Sequence, residues 1–216
     1  MPSKLTATQL KGRVLDQEAA EDAPPSAELA QDNWEPYRPD FMAQSKGLTP
    51  AQRGTALHLA MQYLPLEGDH SPEAIGAELD RLAAGGFLTH LQREAVDPAV
   101  PAAFFASDLG KRLLASPEIH REFKFSLLVP ASDYGPGLEG EEVLLQGVID
   151  CWFAEGDGLT VLDFKSDRIR PGGEGARAEE YRPQLEAYSR SLERVTGRKV
   201  FRRVLWFFAT GQPWEL

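Results

Sequence analysis

Two aspartates and a lysine occupy positions where strand-forming segments normally carry apolar residues. Asp150 ends the run Val148-Ile149, and Asp163 and Lys165 end a second apolar run that begins at Leu159. Because side chains alternate between the two faces of a strand, Asp163 and Lys165 share one face. A buried carboxylate loses hydration, which is costly unless a cation or hydrogen bonds compensate. These residue types at this spacing indicate chemistry that uses charge in a partly dry site.

The two aspartates are expected to lie side by side. The segments that carry them are joined by Glu155-Gly156-Asp157-Gly158, a strong hairpin-turn signal, so the hairpin brings Asp150 near Asp163. Two close carboxylates repel each other, and one takes up a proton unless a divalent metal ion lies between them. A lysine beside them can neutralise charge or orient a water on the metal for attack. The interpretation without function is an internal salt bridge, since an Asp-x-Lys triplet is expected about 0.8 times by chance in such a chain.

His58 is a further candidate ligand. It follows Gly54 by four residues, on the same face of a predicted helix. Side chains lean toward the helix N-terminus, so the imidazole projects over the turn that holds the glycine. A glycine there costs about 1 kcal/mol relative to alanine, and open space above the imidazole is a reason to tolerate that cost. The alternative is a histidine hydrogen-bonded at the helix surface, although imidazole is also a common metal ligand.

Other polar residues near these positions are weaker candidates. Gln184 and Tyr188 lie four residues apart on a predicted helix. Gln184 could reach a metal-bound water or a phosphate, whereas Tyr188 belongs to the apolar stripe and is more often a core residue. Glu122 lies on the polar face of a predicted strand, where a solvated surface residue explains it equally well.

Two groups of basic residues stand out in an otherwise acidic chain. The first flanks the proposed carboxylates and indicates a polyanionic substrate. The second lies near the last predicted strand and is explained as well by a solvated face. The first group is Lys165, Arg168, Arg170 and Arg177, and the second is Arg198, Lys199, Arg202 and Arg203.

The composition limits the class of protein. The chain has 216 residues, 42% of them hydrophobic and 26% charged, which is typical of one globular domain or two small ones. The net charge of −10 argues against a protein that holds nucleic acid by bulk electrostatics. A single cysteine, Cys151, excludes an internal disulfide and an iron–sulfur cluster built from this chain alone. No phosphate-binding loop of the nucleotide-motor type is present, so no ATP site is expected.

The N-terminal region predicts a connector rather than a core. Residues 1–15 are expected to open with a short helix capped by Thr6 or Thr8, and residues 17–46 are acidic, alanine-rich and contain proline. The expected domain organisation is therefore an N-terminal helix and connector over residues 1–47 and a folded domain over residues 48–216. Without a signal-peptide-like stretch or an apolar run of about 20 residues, the chain is predicted to be cytoplasmic and free of membrane contact.

The elements that must position the candidate residues follow from the hydrophobic periodicity. Three helical stretches are predicted first, over residues 49–64, 71–86 and 98–115. Three strand patterns follow, over residues 120–129, 144–153 and 159–165. A last strand over residues 200–209 comes after a helix that ends at Gly197 and has an apolar stripe at Tyr181, Leu185, Tyr188, Leu192 and Val195. The predicted class is α/β, in the order helix, three strands, helix, strand.

Five motifs, taken in order along the chain, resemble the nuclease domain of the RecB-type branch of the PD-(D/E)xK superfamily. They are Gly54-x-x-x-His58, Arg121-Glu122-x-x-Phe125, Gly147-Val148-Ile149-Asp150, Asp163-Phe164-Lys165 and Gln184-x-x-x-Tyr188. Residues 2–11 and 48–64 look closest to the C-terminal nuclease domain of the AddA type of helicase–nuclease. The resemblance covers most of the chain, and the ordered recurrence is far more specific than any single motif.

The resemblance implies a restriction-endonuclease-like core of αβββαβ order, with additional N-terminal helices around a central mixed sheet. It also implies a divalent-metal-dependent DNA exonuclease that uses Mg²⁺ or Mn²⁺ and acts in double-strand-break repair and recombination. Carried over residue by residue, the metal ligands would be His58, Asp150 and Asp163. The other catalytic residues would be Lys165, which acts on the attacking water, and Gln184 and Tyr188, which support the site.

The resemblance also implies partners. These are DNA, as single-stranded ends fed by a helicase, the helicase region of a parent chain, and an AddB-type subunit. The chain departs from the family in three ways. The helicase motor is missing, so the chain looks like an excised C-terminal domain. Val148-Ile149 replaces the proline of the superfamily motif, as is usual in this branch. The cysteines of iron–sulfur-bearing relatives are absent, which favours the AddA type over the AddB type.

Two other functions stay open at this stage. The first is a non-catalytic module that docks onto a helicase or another protein of the complex and keeps the nuclease scaffold, which the acidic surface and the long connector favour. The second is a metal phosphatase or another phosphoesterase. Activity on small phosphomonoesters without activity on DNA would indicate the second.

Overall fold

The fold is a mixed sheet with helices on both faces, which confirms the predicted class. A computed structural model describes residues 4–6, 48–133, 139–170 and 172–216. The helices are α1 (Pro50–Tyr63), α2 (Pro72–Ala84), α3 (His90–Ala95), α4 (Ala99–Ala106), α5 (Asp108–Leu114) and α6 (Glu174–Thr196). The strands are β1 (Lys4–Thr6), β2 (Ile119–Pro130), β3 (Glu142–Glu155), β4 (Gly158–Lys165), β5 (Val200–Phe207) and β6 (Gln212–Glu215). Within the described ranges, no helix is long and apolar enough to cross a bilayer.

The first two helices begin and end where the sequence predicts. Thr49 caps α1 by accepting a hydrogen bond from the Gln52 amide at 3.2 Å, while the Gln52 side chain accepts one from the Thr49 amide at 2.9 Å. This capping box gives partners to amides that the first turn leaves unpaired. Ser71 accepts from the Ala74 amide at 3.3 Å and so caps α2, which ends before Gly85. Both predicted helices are confirmed.

Residues 98–115, predicted as one helical stretch, form two helices that meet at Ser107. Its hydroxyl donates to the Phe104 carbonyl at 2.6 Å and accepts from the Gly110 amide at 3.0 Å. One residue therefore ends α4 and caps α5, and the single-stretch prediction is wrong. The expected burial is confirmed at Phe104, Phe105, Leu109 and Leu113. The short helix α3 was not predicted, because it has no buried residue and hence no apolar periodicity.

Gly110→Ala is expected to lower the free energy of unfolding by about 2 kcal/mol or more. A β-carbon there would lie 2.1 Å from the Phe104 carbonyl oxygen and 2.7 Å from the Phe105 Cα, which are backbone atoms. Gly158→Ala is the matched control, because its nearest atoms belong to the Phe201 ring, which is 65% exposed and can turn away. Urea unfolding measures both variants, and equal losses in the two would contradict this account of the α4–α5 contact.

Strand β3 is the centre of the sheet and pairs on both edges. One edge pairs with β2 in antiparallel orientation along most of its length. The other edge pairs in parallel with β1 near its start and in antiparallel orientation with β4 at its end. Beyond β4, the sheet continues with β5 in parallel and β6 antiparallel to β5. The predicted order of three strands, helix and strand is thus confirmed, with β1 and β6 as additions.

The start of the chain adds a strand to the sheet that the sequence did not predict. Residues 4–6, which precede the helix expected after Thr6 or Thr8, form β1 and pair with Leu144–Gln146. Thr6 is the last residue of this strand, and the helix predicted to follow Thr6 or Thr8 lies outside the described residues. The chain before residue 48 contributes a strand to the sheet of the domain that was expected to begin there. Thr8 and the connector proposed for residues 17–46 lie outside the described residues, and the domain boundary stays a prediction.

Both faces of the sheet are covered by helices. One face packs against α1, α2, α4 and α5 through a cluster that includes Phe164 and Trp206. The other face packs against α6, whose apolar stripe is buried at Tyr181, Leu185, Tyr188 and Leu192. Val195, the last residue of the predicted stripe, is half-exposed, so the buried stripe ends at Leu192, one helical turn earlier than predicted. Gly197 ends α6 in the left-handed conformation with φ of 70°, as predicted.

Side-chain alternation changes phase partway along β2 and β3. Leu145 and Ile149 belong to the α6-side cluster, whereas Cys151 belongs to the opposite cluster, although all three are odd-numbered. The change falls at Glu122, whose φ is 53°, and at Asp150, which is opposite Glu122 in the pairing register. Positive φ is uncommon for a residue other than glycine and tends to occur at functional sites. Asp150 therefore lies where regular alternation breaks.

Candidate active site

The two central strands part near Asp150 and open a cavity in the sheet. Pairing between β3 and β4 ends at Cys151 and Leu162, one step before the two aspartates. Among the described residues, no strand pairs with this edge of β3 between residues 146 and 151. The cavity has a volume of about 740 Å³. All six predicted site residues line it, namely His58, Asp150, Asp163, Lys165, Gln184 and Tyr188.

Asp150 acts as a hydrogen-bond acceptor where the strands part. Its Oδ2 accepts from the Phe164 amide at 2.8 Å and lies 3.5 Å from His58 Nδ1. Burial by itself raises the pKa of the Asp150 carboxyl. The charges of His58 and Lys165, together with the Phe164 amide, outweigh burial, so the pKa is lowered. Asp150 is therefore held in the ionised form.

Asp163 and Lys165 form a buried ion pair on one face of β4. Asp163 Oδ2 lies 2.6 Å from Lys165 Nζ, and the two side chains are 3% and 14% exposed. Burial raises the pKa of Asp163 to about 6, with the Lys165 charge opposing this rise and the Asp150 charge adding to it. Burial lowers the pKa of Lys165, but both aspartates raise it above its ordinary value. A lysine that stays charged thus stands beside a carboxylate that is costly to ionise, a cost that a further cation would reduce.

His58 reaches the cavity from α1, one turn after Gly54, which also lines it. The His58 side chain is 31% exposed, and its ring meets Phe164 edge-on with the centroids 6.3 Å apart. Burial lowers the pKa of His58, yet the Asp150 carboxylate more than compensates, so the pKa is raised. Gly54 and His58 thus both line the cavity from one helix, and the role of His58 as a metal ligand stays a prediction.

The neighbouring residues Arg121 and Glu122 of β2 have different roles. Arg121 Nη1 donates to the carbonyls of Met61 at 2.9 Å and Leu64 at 2.6 Å, which ties the end of α1 to the sheet. Glu122 lines the cavity, and burial followed by the charge of Asp150 raises its pKa. Glu122 therefore belongs to the cavity rather than to an open surface. Its position in the strand pattern could not indicate this, because the phase change at this residue has no sequence signal.

Gln184 and Tyr188 extend a polar chain from Lys165 along α6. Lys165 Nζ donates to Gln184 Oε1 at 3.4 Å, and Gln184 Nε2 donates to the Tyr188 hydroxyl at 2.8 Å. Burial, and then the charges of the two aspartates, raises the pKa of Tyr188 well above its ordinary value, so the hydroxyl stays neutral. Tyr188 also packs edge-on against Phe125 with the centroids 5.9 Å apart. Tyr188 is thus a core residue that also lines the cavity.

Most side chains of the two basic groups form ion pairs with carboxylates of the same chain. Lys165 is paired with Asp163, and Arg177 Nε lies 2.8 Å from Asp167 Oδ2. In the second group each side chain lies within 4.0 Å of a carboxylate, which favours the solvated-face interpretation. Those pairs are Arg198–Glu118, Lys199–Glu193, Arg202–Glu215 and Arg203–Glu186. The free positive charge expected beside the site is therefore smaller than the residue count indicates.

Asp167 and Tyr181 line the same cavity, although their sequence positions indicated no role there. Tyr181 falls in the apolar stripe of a helix, and Asp167 follows a strand in a polar loop. Neither residue type is unusual at such a position. The available signal was spacing, since Tyr181 precedes Gln184 by three residues and Tyr188 by seven, which puts all three on one helical face.

Asp150, Asp163 and His58 supply the donor atoms that a divalent cation needs. Carboxylate oxygens suit Mg²⁺, and an imidazole nitrogen makes Mn²⁺ acceptable. Burial raises the pKa of Asp163 to about 6, and a cation beside the two carboxylates would reduce this cost of ionisation, so the residues fit such an ion. In the part of the chain that the structure describes, however, no group of three or more His, Cys, Asp or Glu side chains converges into a ready-made metal site.

The fold and the cavity together define a restriction-endonuclease-like nuclease core. It is a mixed sheet between helices, with an aspartate on one strand and an Asp-x-Lys triplet on the next, where the two strands part. The sequence-family model of the PD-(D/E)XK nuclease superfamily matches residues 32–213 of this chain. The chain belongs to this superfamily.

Curated relatives of the chain are named as the A-type subunit of an ATP-dependent helicase/nuclease. The protein of Desulforudis audaxviator is 42% identical over 212 residues, which are 97% of this chain and 17% of the relative. That of Acetivibrio thermocellus is 36% identical over 220 residues, which are 98% of this chain and 17% of the relative. The chain thus spans 17% of the length of these relatives. The predicted resemblance to the nuclease domain of an AddA-type helicase–nuclease is confirmed.

Proposed function

We propose that this domain is a divalent-metal-dependent deoxyribonuclease that hydrolyses the phosphodiester bonds of DNA. One observation carries the proposal: Asp150 and the Asp163–Lys165 ion pair line a single cavity where β3 and β4 part. Two carboxylates and a charged lysine are suited to metal-assisted hydrolysis of a phosphodiester. Membership of a nuclease superfamily whose members generally use divalent metal ions supports the assignment.

The chain's own residues divide the work in this proposal. Asp150, Asp163 and His58 would hold the ion, which when bound would polarise a phosphate oxygen and lower the pKa of a water molecule. Lys165 keeps its charge beside Asp163, where it orients the attacking water and offsets the negative charge that develops on the phosphate. Because the cavity is partly buried, each of these interactions is stronger than in bulk water. The supporting residues are Gln184 and Tyr188.

We further propose that the domain works inside a longer helicase–nuclease. The relatives named for an ATP-dependent helicase/nuclease are about six times as long as the matched region, since that region covers 17% of each. In that setting a helicase region of the parent chain would feed single-stranded DNA ends to the cavity for exonucleolytic cleavage, beside an AddB-type subunit. The process would be double-strand-break repair and recombination in the cytoplasm.

A non-catalytic docking module is the second candidate. It is favoured by the absence of a ready-made metal group among the described residues and by the ion pairing of the surface cations. Calorimetric titration with Mg²⁺ and Mn²⁺, together with cleavage assays on single-stranded and duplex DNA ends, separates the two functions. Binding heat that is lost in Asp150→Ala, accompanied by DNA cleavage, supports the nuclease. Absence of both heat and cleavage supports docking, and activity on phosphomonoesters alone indicates a phosphatase.

Metal affinity is expected to rise with pH between about pH 5 and pH 7.5. The pKa of Asp163 is about 6 and that of His58 lies above its ordinary value of 6.5, so protonation blocks both ligands at the acidic end. For each ligand that must lose a proton, the Kd of the metal increases by as much as about tenfold for every pH unit below the pKa of that ligand. Calorimetry of Mn²⁺ binding at three pH values, in buffers of different ionisation heat, gives both the Kd and the protons released. A Kd that is constant over this range contradicts the assignment of these ligands.

A further inference from the structure

In the described part of the chain, Lys165 contacts two polar side chains and the face of a tyrosine ring. Besides Asp163 and Gln184, the ammonium nitrogen lies 3.9 Å from the centroid of the Tyr181 ring. A cation over an aromatic face is attracted by the ring quadrupole, and the attraction is stronger where water is excluded. Tyr181 is buried and the Lys165 side chain is largely buried, so the contact lies in the dry part of the cavity.

The hydroxyl of Tyr181 has polar contacts. The Tyr181 hydroxyl donates to Asp167 Oδ2 at 2.5 Å, and the same oxygen accepts from Arg177 Nε at 2.8 Å. Arg177 also donates to the Tyr181 hydroxyl at 3.4 Å, and its guanidinium lies 5.2 Å from the ring centroid. Asp167 follows Lys165 by two residues, so the loop after β4 contacts the tyrosine whose ring lies against the last residue of β4.

The other two contacts of Lys165 are less suited to holding it during a reaction. The distance to Gln184 Oε1 is 3.4 Å, which is long for a hydrogen bond. Asp163 is a metal ligand in the proposed function, and a bound cation would compete with Lys165 for the same carboxylate. The contact between Lys165 and the Tyr181 ring remains available whether or not Asp163 is protonated or bound to a metal ion.

We propose that Tyr181 is a positioning residue for Lys165, whose ring face keeps the ammonium group between Asp163 and Gln184 when a cation occupies the site. Its catalytic consequence rests on the proposed nuclease function, whereas the contact itself does not. The role differs from that of Leu185 and Leu192 in the same α6 stripe, because these leucines belong to apolar core clusters and do not line the cavity. Asp167 and Arg177 contact the Tyr181 hydroxyl and lie one step further from Lys165, whereas burial in the core holds the ring.

Substitutions at Tyr181 separate the ring from its hydroxyl. Tyr181→Phe keeps the ring face and loses the hydrogen bond to Asp167, whereas Tyr181→Leu loses the ring. We expect kcat to fall about 10- to 100-fold in Tyr181→Leu but no more than about threefold in Tyr181→Phe, with KM and the Kd of Mn²⁺ within about threefold of wild type in both. Phe153→Leu removes a fully buried ring that does not line the cavity, and it controls for lost packing. Tyr181→Met is the second non-aromatic variant if Tyr181→Leu does not fold.

A spectroscopic measurement tests the contact without relying on activity. The chain has seven lysines, so spectra of ¹³C-lysine-labelled protein are simple, and Lys165→Met assigns the signal of interest. The Cε protons of Lys165 are expected to be shifted upfield by the ring current, in wild type and Tyr181→Phe but not in Tyr181→Leu.

The two measurements distinguish failure of this inference from failure of the proposed function. If wild-type protein does not cleave DNA, the proposed function fails, and the lysine spectrum still decides whether the ring holds Lys165. A Lys165 signal that is identical in wild type and Tyr181→Leu overturns the inference. So does a loss of kcat in Tyr181→Leu that is no larger than the loss in Phe153→Leu.

Discussion

Asp163→Ala is expected to lower the rate of DNA cleavage in Mg²⁺ or Mn²⁺ by about 10³-fold or more. The Asp163 carboxylate is buried, lies 2.6 Å from Lys165 Nζ and shares its cavity with Asp150. Its removal takes away a proposed metal ligand and the charge partner of Lys165, so a loss of several kcal/mol of transition-state stabilisation is expected. Digestion of end-labelled single-stranded DNA under single-turnover conditions measures the effect.

Asp157→Ala is the matched control for that substitution. Asp157 is an exposed residue in the turn between β3 and β4, and its variant is expected to cleave at the wild-type rate. Because Asp163→Ala leaves Lys165 charged and buried without its partner, it also costs stability. Asp163→Asn keeps the size of the side chain and is measured alongside Asp163→Ala. Thermal unfolding of both variants tests whether the protein used in the cleavage assay is folded. Equal cleavage by native protein and Asp163→Ala would end the assignment.

Lys165→Met is expected to give a different signature, with kcat about 10²- to 10⁴-fold lower and no loss of metal affinity. Methionine keeps an unbranched apolar side chain and removes the charge. A positive charge beside the site repels a metal ion, so its loss leaves the Kd of Mn²⁺ unchanged or lower. Substitution of either aspartate, by contrast, is expected to weaken metal binding and cleavage together.

Lys199→Met controls for the loss of a positive charge. Lys199 is 76% exposed and lies 3.5 Å from Glu193, away from the cavity. Its variant is expected to match wild type in both kcat and Kd. A wild-type cleavage rate in Lys165→Met, or a loss of metal binding that accounts for the whole loss of rate, would contradict a separate role for this lysine.

Helix ends and strand order could be predicted because they depend on local residue types. Thr49 and Ser71 are cap-forming residues directly before apolar periodicity, and Gly197 supplies the left-handed turn that ends α6. Ser107 shows where such reasoning fails. Helical periodicity continues on both sides of it, and the hydrogen bonds that end one helix and start the next are visible only in the structure.

Contacts between distant segments had no local signal. Lys4 pairs with Leu144, and three residues of strand are too few for any periodicity. The phase change at Glu122 depends on a positive φ at a residue type that does not favour it, so composition could not indicate it. The role proposed for Tyr181 depends on the position of Lys165 over its ring, a contact that only the structure shows.

The candidate site could be predicted as a set of residues but not as a distribution of charge. The hairpin alone places Asp150 near Asp163, since the strands are joined by a tight turn. The pKa of Asp150 is lowered, whereas that of Asp163 is raised to about 6. Asp150 differs because His58, from a distant helix, and then the Phe164 amide, from the β4 backbone, both favour its ionised form.

The central claim is that Asp150 and Asp163 jointly hold one divalent ion, and crystals of the domain grown in Mn²⁺ test it most directly. Diffraction data collected for the anomalous signal of manganese are expected to show a peak at about 2.0–2.3 Å from a carboxylate oxygen of each aspartate, with His58 nearby. The peak is expected to disappear in Asp150→Ala crystals. A manganese-free cavity in which the two ordered carboxylates point apart would contradict the account.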